Sequence, residues 1–502
     1  MRREKRRRLS EALEAFFTTP LDNALERHFH RDPRDEAVRL FHEVTTRVPA
    51  YRTFLADHDV DPLTIRCFAD FERLPVVTKQ NYLQRHALPD LCRDGRLDDC
   101  DMIAVSSGST GVPMFWPRFV ADELGIARRF EQIFHDSFNA DTKSTLAVVC
   151  FALGTWVGGM YTADCVRHLA AKGYRITVIT PGNNQDEIFR VLSALGPLFE
   201  QVVLLGYPPF LKEVIDAGCA RNFDFASLQI KWVTAGEVFS EELRARMGEQ
   251  VGATNPCFDS ASLYGTADAG VLGNETPLSI AIRRFLAARP DAALALFGQA
   301  RLPALMQYDP MSRFFEQKDG MLLFSGDNGV PLVRYGILDS GGLLTFQALL
   351  EALAVFGFDP RDDLAGARGV RALPFVWVFG RSDFTVSFHG ANVYPENVTV
   401  GLERPEVRAW VTGKFVLEAL ENEDRERRLS IVVELAAGVE GSDARRDAVA
   451  RAIEEELVRL NSEFKTYVPE GRRTPDVKLA VAGDPAYFPA GVKHRYTRKP
   501  TG

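Results

Sequence analysis

The run Ser106-Ser107-Gly108-Ser109-Thr110-Gly111-Val112-Pro113 follows a short apolar stretch at 102–105. Glycine lets a backbone turn tightly and expose its N–H groups. Serine and threonine hydroxyls add donors that reach phosphate oxygens. The chemistry such a loop suits is the holding of a polyphosphate. It is not a Walker A loop, because no Gly-Lys-Ser/Thr closes it. Taken alone, the run has a second reading as a plain flexible turn, a common use of Ser/Gly-rich sequence. Metal-ligand spacing is absent. Cys67, Cys92, Cys100, Cys150, Cys165, Cys219 and Cys257 are scattered with no CxxC pair, and His28 and His30 have nothing beside them to complete a ligand set. No transition metal, structural zinc or disulfide frame is expected, and free thiols fit a reducing cytoplasm.

The elements that must position this loop read as follows. Residues 9–100 are mostly helical, with apolar residues at helical spacing over 35–44 and 68–73. From about 102 to 270, short apolar runs alternate with amphipathic stretches. The spacing predicts buried strands at 145–151, 175–180, 201–205 and 230–233, separated by helices at 121–138, 185–195 and 240–251. That alternation predicts an α/β fold with a substantial parallel component. Residues 321–348 read as strands and turns, and 375–379 as an apolar strand running into Gly380-Arg381-Ser382-Asp383. Beyond it lie strands near 393, 414–418 and 429–435, and an amphipathic helix over 443–461. The expected division is 1–100, a helical part of a large domain; 101–382, an α/β core; and 383–502, a small C-terminal domain.

A chain of 502 residues predicts two to four domains. Its 46% hydrophobic and 25% charged content are those of a soluble globular protein. The net charge of −8 argues against nucleic-acid binding as the main business. The N-terminus, Met1-Arg2-Arg3-Glu4-Lys5-Arg6-Arg7-Arg8, is basic, but no apolar region follows it as in a secretory signal. It reads as a solvated helix start, with a nucleic-acid or membrane tether as the alternative. No apolar run reaches the ~18 residues that a membrane span requires.

Five segments, in order, resemble the adenylate-forming superfamily of acyl-activating enzymes, and within it the phenylacetate–CoA ligase group. The first is the 106–113 loop. Most of the superfamily places lysine after the proline; this chain has Met114, and the phenylacetate group also lacks that lysine. The second is Thr234-Ala235-Gly236-Glu237. The third is Tyr264-Gly265-Thr266-Ala267-Asp268, close to Tyr-Gly-x-Thr/Ser-Glu. Here Thr266 comes one place early, Ala267 fills the hydroxyl slot and Asp268 replaces glutamate. The fourth is Pro331-Leu332-Val333-Arg334-Tyr335-Gly336-Ile337-Leu338-Asp339. The fifth is Gly380-Arg381-Ser382-Asp383 followed by His389-Gly390-Ala391-Asn392-Val393-Tyr394-Pro395-Glu396. Upstream, Val48-Pro49-Ala50-Tyr51 and Leu74-Pro75-Val76-Val77-Thr78-Lys79 look like the N-terminal region of the same group.

The resemblance implies a large adenylate-forming domain with mixed and parallel sheets flanked by helices, and a small mobile α+β C-terminal domain. It implies ATP and Mg²⁺ as cofactors. Ser106, Ser107, Gly108, Ser109, Thr110 and Gly111 would wrap the β- and γ-phosphates. Gly236 and Glu237 would lie beside the adenine and acyl pockets, and Tyr264 with Gly265 against adenine. Thr266 would touch the α-phosphate or carboxylate, and Asp268 would hold Mg²⁺ on an arm one methylene shorter than usual. Asp339 would accept from the ribose hydroxyls, Arg381 would contact ribose or phosphate, and Asp383 would be the hinge. Lys493, in Gly491-Val492-Lys493, would be the catalytic lysine, with Lys478 as the fallback.

Bland alternatives stand beside these roles. Asp339 could cap a turn before a helix at Leu343. Arg381 could be a surface ion pair and Tyr264 core packing. Trp156 could pack or touch substrate, and His389 could be a turn histidine. Lys493 could sit in a disordered basic tail. The implied reaction is activation of a carboxylic acid as acyl-AMP with release of pyrophosphate, then transfer to a thiol, foremost CoA. Transfer to an amine or a carrier-protein thiol is the alternative, and a non-catalytic nucleotide-binding relic the remote one. Which acid is activated is not written in these residues. A homodimer is compatible with them.

Overall fold

The computed structural model describes residues 2–497 apart from 99, 107–113, 155–156, 237–238, 300, 365, 382–385, 389–390, 422–426, 462–463, 466–467, 490–493 and 495. The N-terminal part is helical over Arg2–Thr18, Leu21–Leu25, Pro33–Arg47 and Pro49–Ala56, then proceeds by short turns. Strands β1 (Met102–Ser106) and β2 (Met114–Arg118) form an antiparallel hairpin. Trp116 anchors the hairpin in a core cluster that also holds Leu272 and Leu332.

An eleven-stranded sheet forms the centre. Its strands are β3 (Thr145–Val149), β4 (Ile176–Ile179), β5 (Gln201–Gly206), β6 (Ile230–Ala235), β7 (Ser260–Thr266), β8 (Gly270–Asn274), β9 (Ala304–Gln307), β10 (Arg313–Lys318), β11 (Met321–Gly326), β12 (Leu332–Leu344) and β13 (Phe375–Arg381). The spatial order is β10-β11-β12-β13-β9-β8-β7-β6-β5-β3-β4. From β4 to β7 the pairings are parallel; from β7 outward to β10 they are antiparallel. Every residue of β3 and β5 is buried, as expected of parallel strands covered on both faces.

Helices Val157–Lys172, Gln185–Leu195, Pro208–Ala220 and Glu241–Val251 connect the parallel strands. Asn184 and Ser240 cap two of them, their side-chain oxygens accepting from Glu187 N and Leu243 N. The strands predicted at 145–151, 175–180, 201–205 and 230–233 all form, within two residues of their expected ends. Two details differ. The helix expected over 121–138 is α-helical over Val120–Gln132 and closes as a π-turn at Ile133–Ser137. No helix starts at Leu343. β12 continues through it, and the helix Phe346–Ala354 is capped by Thr345, whose hydroxyl accepts from Ala348 N. Asp339 is therefore a strand residue and not a helix cap.

The C-terminal unit contains β14 (Val386–Phe388), β15 (Ala391–Val393), β16 (Val411–Glu421), β17 (Arg427–Leu435) and β18 (Asp476–Ala480). Helices Pro395–Leu402 and Asp443–Leu460 pack on it, the second capped by Ser442. Val393, Phe415, Ile431, Val449, Ile453 and Phe464 belong to a core of its own. Among the described residues, no helix is long and apolar enough to cross a membrane.

A buried ionic network lies behind β6 and β7. Arg244 and Arg283 both donate to Glu275 Oε1 at 2.7 Å, and Arg244 also donates to Glu241 and Ser260. Burial opposes the charge on Glu275, but the two guanidiniums hold its carboxyl below the usual carboxylate range. Removing one member of such a network strands the others' charge. Glu275→Gln is expected to lower stability by about 3–5 kcal/mol in urea unfolding followed by tryptophan fluorescence. A loss within error would show that the network carries no net stabilisation.

Candidate active site

β7 ends in Tyr264-Gly265-Thr266 and turns through Ala267-Asp268 into β8. Gly265 is required by close approach: a Cβ there would stand 2.4 Å from the Gly270 carbonyl oxygen. Thr266 Oγ1 accepts from Ala269 N at 3.2 Å and closes the turn. Its hydroxyl proton is still free to be donated.

Two tyrosine–aspartate hydrogen bonds cross between this turn and β12. Tyr264 donates its hydroxyl to Asp339 Oδ2 at 2.5 Å. Tyr335 donates its hydroxyl to Asp268 Oδ2. Each segment thus gives its tyrosine to the other's aspartate. Asp268 and Asp339 are 5% and 3% exposed, so both carboxylates depend on these donors. Lys79 Nζ lies 3.4 Å from the same Asp268 Oδ2. Among the described residues, no group of three or more His, Cys, Asp or Glu side chains is arranged to hold a metal ion.

Lys79 reaches this place through backbone pairing. Val77 N donates to Arg334 O at 3.1 Å and Gly336 N donates to Val77 O at 2.9 Å, a one-residue parallel bridge to β12. Thr78 then caps the turn Lys79–Leu83, its hydroxyl accepting from Asn81 N. β12 itself is bent. Arg334 and Leu338 have φ of +50° and +66°, in the left-handed region, and the register with β11 shifts on both sides of Leu323–Phe324. Such backbone costs of order 1–3 kcal/mol per residue and is characteristic of functional sites. Arg334 is fixed by its Nε on Glu316 at 3.0 Å and by its guanidinium on the Leu74 carbonyl.

Gly236 follows β6 with φ of +88°, and a Cβ there would stand 2.8 Å from Tyr207 Cε1. Three residues on, the Phe239 carbonyl accepts from Arg283 Nη2 at 2.8 Å, tying the loop to the buried ionic network.

The structure therefore brings together Tyr264, Gly265, Thr266, Asp268 and Asp339, with Gly236 on the neighbouring strand's end. Ser106 closes β1, and Arg381 pairs through its backbone with Asp339. Ser107, Gly108, Ser109, Thr110, Gly111, Trp156, Glu237, Asp383, His389 and Lys493 lie outside the described residues. Lys478 is on β18, with Nζ 5.3 Å from the Tyr487 ring centroid. Two residues of the site went unassigned by sequence reasoning, Tyr335 and Lys79. Both fall inside segments that carry the resemblance, but only the fold shows that they meet Asp268.

The residue after Lys493 is anchored. His494 Nε2 contacts the Phe415 carbonyl at 2.6 Å, so this nitrogen carries the proton and donates it. The ring packs against Phe488 and Tyr496, and Leu417 N donates to Tyr496 O at 2.7 Å. Burial pushes the imidazole down from 6.5 to about 4. A lowered folded-state value favours the neutral form, so its contribution is present above about pH 6.5 and lost as pH falls toward 4. His494→Gln is expected to flatten the acid limb of stability between those pH values in thermal melts. An unchanged limb would remove His494 from the acid transition.

Arg301 is one of the side chains that join the C-terminal unit to the rest of the chain. The Arg301 guanidinium lies 4.3 Å from the Phe379 ring and 4.0 Å from the Tyr394 ring. It donates to the Phe379 carbonyl at 3.2 Å and to Glu396 Oε2 at 3.0 Å. Around it, Ser240 donates to Glu403, and Lys414 Nζ lies 2.5 Å from Glu213 Oε1.

The Tyr264–Asp339 bond yields a direct test. A hydrogen bond to a charged group contributes about 1.5–3 kcal/mol. If Asp339 must be held by Tyr264 to meet a ribose, Tyr264→Phe should weaken AMP binding about tenfold or more in calorimetry. Unchanged affinity would show that Asp339 needs no such support.

No family model matches the chain. The phenylacetate-coenzyme A ligase of Thermus thermophilus is 24% identical to it over 374 residues, 74% of this chain and 74% of the relative. Among solved structures, 2-hydroxyisobutyryl-CoA ligase in the postadenylation state, in complex with R3-HIB-AMP, superposes with a TM-score of 0.65 at 14% identity. That match covers 93% of this chain and 89% of the other. The same ligase in the thioesterification state, with 2-HIB-AMP and CoA, covers 97% and 91% at a TM-score of 0.54 and 15% identity. The resemblance read from the five segments is borne out as a similarity: the chain is similar to a phenylacetate-coenzyme A ligase over about three quarters of both chains and shares the fold of 2-hydroxyisobutyryl-CoA ligase.

Proposed function

We propose that this chain activates a carboxylic acid with ATP as acyl-AMP, releasing pyrophosphate, and transfers the acyl group to CoA. The observation that carries this reading is the crossed Tyr264–Asp339 and Tyr335–Asp268 pair, which joins the third and fourth segments. The similarity to phenylacetate-coenzyme A ligase over 74% of both chains supports it.

In this reading Asp339, an acceptor-only carboxylate, takes the ribose hydroxyls. The segment 107–113, which joins β1 to β2 in sequence, would wrap the β- and γ-phosphates. Lys79, 3.4 Å from Asp268, brings positive charge to the phosphate side, where Met114 stands in place of the superfamily's usual lysine. Asp268 would hold Mg²⁺. One carboxylate plus substrate phosphates is the usual share of such a site, and the ion when bound neutralises phosphate charge. The acid's carboxylate attacks the α-phosphorus and the bond to the bridging oxygen breaks. Thr266 and the Lys493 ammonium stabilise the growing negative charge by position and electrostatics. The C-terminal unit then turns about Asp383, withdrawing Lys493 and admitting the CoA thiol, which displaces AMP.

The test is pyrophosphate release across a panel of carboxylic acids, with CoA or an amino-acid mixture added and products followed by mass spectrometry. The expected product is one acyl-CoA; an amide product would move the acceptor to an amine. Lys493→Ala should lose pyrophosphate release by 10²-fold or more and still thioesterify supplied acyl-AMP. Full release in that variant would remove Lys493 from the chemistry.

A further inference from the structure

Arg118 is the last residue of β2 and 2% exposed. Its backbone is pinned twice: it pairs with Met102, and its carbonyl accepts from Asp101 N at 2.9 Å. Its side chain leaves the hairpin. Nη2 donates to the carbonyl of Ala267, the residue between Thr266 and Asp268. The guanidinium also faces the Tyr161 ring at 5.7 Å, on the helix that follows β3. Its Nε is buried with no partner among the described residues.

These contacts matter because the hairpin and the β7–β8 turn belong to different sheets. No strand pairing sets one against the other. The Ala267 peptide is flanked by both polar side chains of the turn, so its orientation sets where each points. A buried arginine with an unpaired Nε is a costly way to satisfy one carbonyl, and such exceptions call for an explanation.

We propose that Arg118 is a positioning residue for phosphate activation: by holding the Ala267 carbonyl it aims Thr266 and Asp268 at the triphosphate. The proposal rests on the ATP-activation reading above. It differs from a purely structural role in one respect. It should govern recognition of the metal-bound triphosphate and leave recognition of the adenosine moiety alone, since Asp339 and Tyr264 are anchored independently of Arg118.

The test uses the full-length protein and two variants, Arg118→Met and Arg118→Lys. Calorimetry compares binding of AMP without metal with binding of a non-hydrolysable ATP analogue, with and without Mg²⁺; acid-dependent pyrophosphate release is measured in parallel. For Arg118→Met we expect AMP affinity within twofold of wild type. The Mg²⁺-dependent gain in analogue affinity should fall at least fivefold, and pyrophosphate release at least tenfold. Arg118→Lys, which keeps a donor, should recover part of both. Equal metal dependence in wild type and variants, or a loss of AMP affinity in the same proportion, would overturn the proposal. If Arg118→Met does not fold, Arg118→Lys decides alone: an altered metal dependence supports the role and a wild-type one removes it. A wild-type protein that releases no pyrophosphate with any acid would instead sink the ATP-activation reading.

Discussion

The candidate site depends on one reciprocal arrangement, in which two buried carboxylates each take a phenolic proton from the opposite segment. A buried carboxylate without a donor is expensive, and a buried phenol wants an acceptor. Each bond therefore satisfies two groups, and a shift of either segment would break both. The constraint fixes β7 against β12, although β8, β9 and β13 lie between them in the sheet. It also explains why β12 is bent. A straight thirteen-residue strand keeps an even pleat, whereas β12 changes register and holds two residues in the left-handed region around Tyr335.

The N-terminal segment enters the same arrangement from outside. Val77 joins β12 as a single bridge, and the next capped turn delivers Lys79. A part of the chain that reads as helical packing thereby contributes a cation to the heart of the site. The buried Arg244–Glu275–Arg283 network does the corresponding work on the other side, holding the loop that follows Gly236.

Much of this was legible in the sequence because its signals are local. The apolar runs 146–151 and 202–205 in an alternating pattern read as buried strands, and β3 and β5 are buried throughout. The ordered segments gave the fold class and the residues Tyr264, Gly265, Asp268 and Asp339. Relations across the chain were not legible. Nothing local says that Tyr335 meets Asp268, 67 positions away, or that Lys79 does. The alternative role for Asp339, a cap, puts a helix start at Leu343 because aspartate favours such positions. Pairing of Gly341 to Leu344 with β13 overrode that preference. Glycine at 341 and 342 is what permits this pairing, because a Cβ at either would strike Trp377.

The Arg301 sandwich bears on how this chain could be recombined with its relatives. One aromatic face comes from Phe379 and the other from Tyr394, and the counter-charge comes from Glu396. Two of those three partners lie just beyond the end of β13, on the C-terminal side of the junction. A graft that joins a foreign C-terminal unit after residue 396 would keep the guanidinium stacked and neutralised. A graft that joins just after β13 would bury a bare cation between the two parts unless the donor also brings an aromatic residue and an acid in that spacing. Compatibility between halves of such chimeras thus depends on this short stretch of sequence as well as on contacts such as Ser240–Glu403 and Lys414–Glu213.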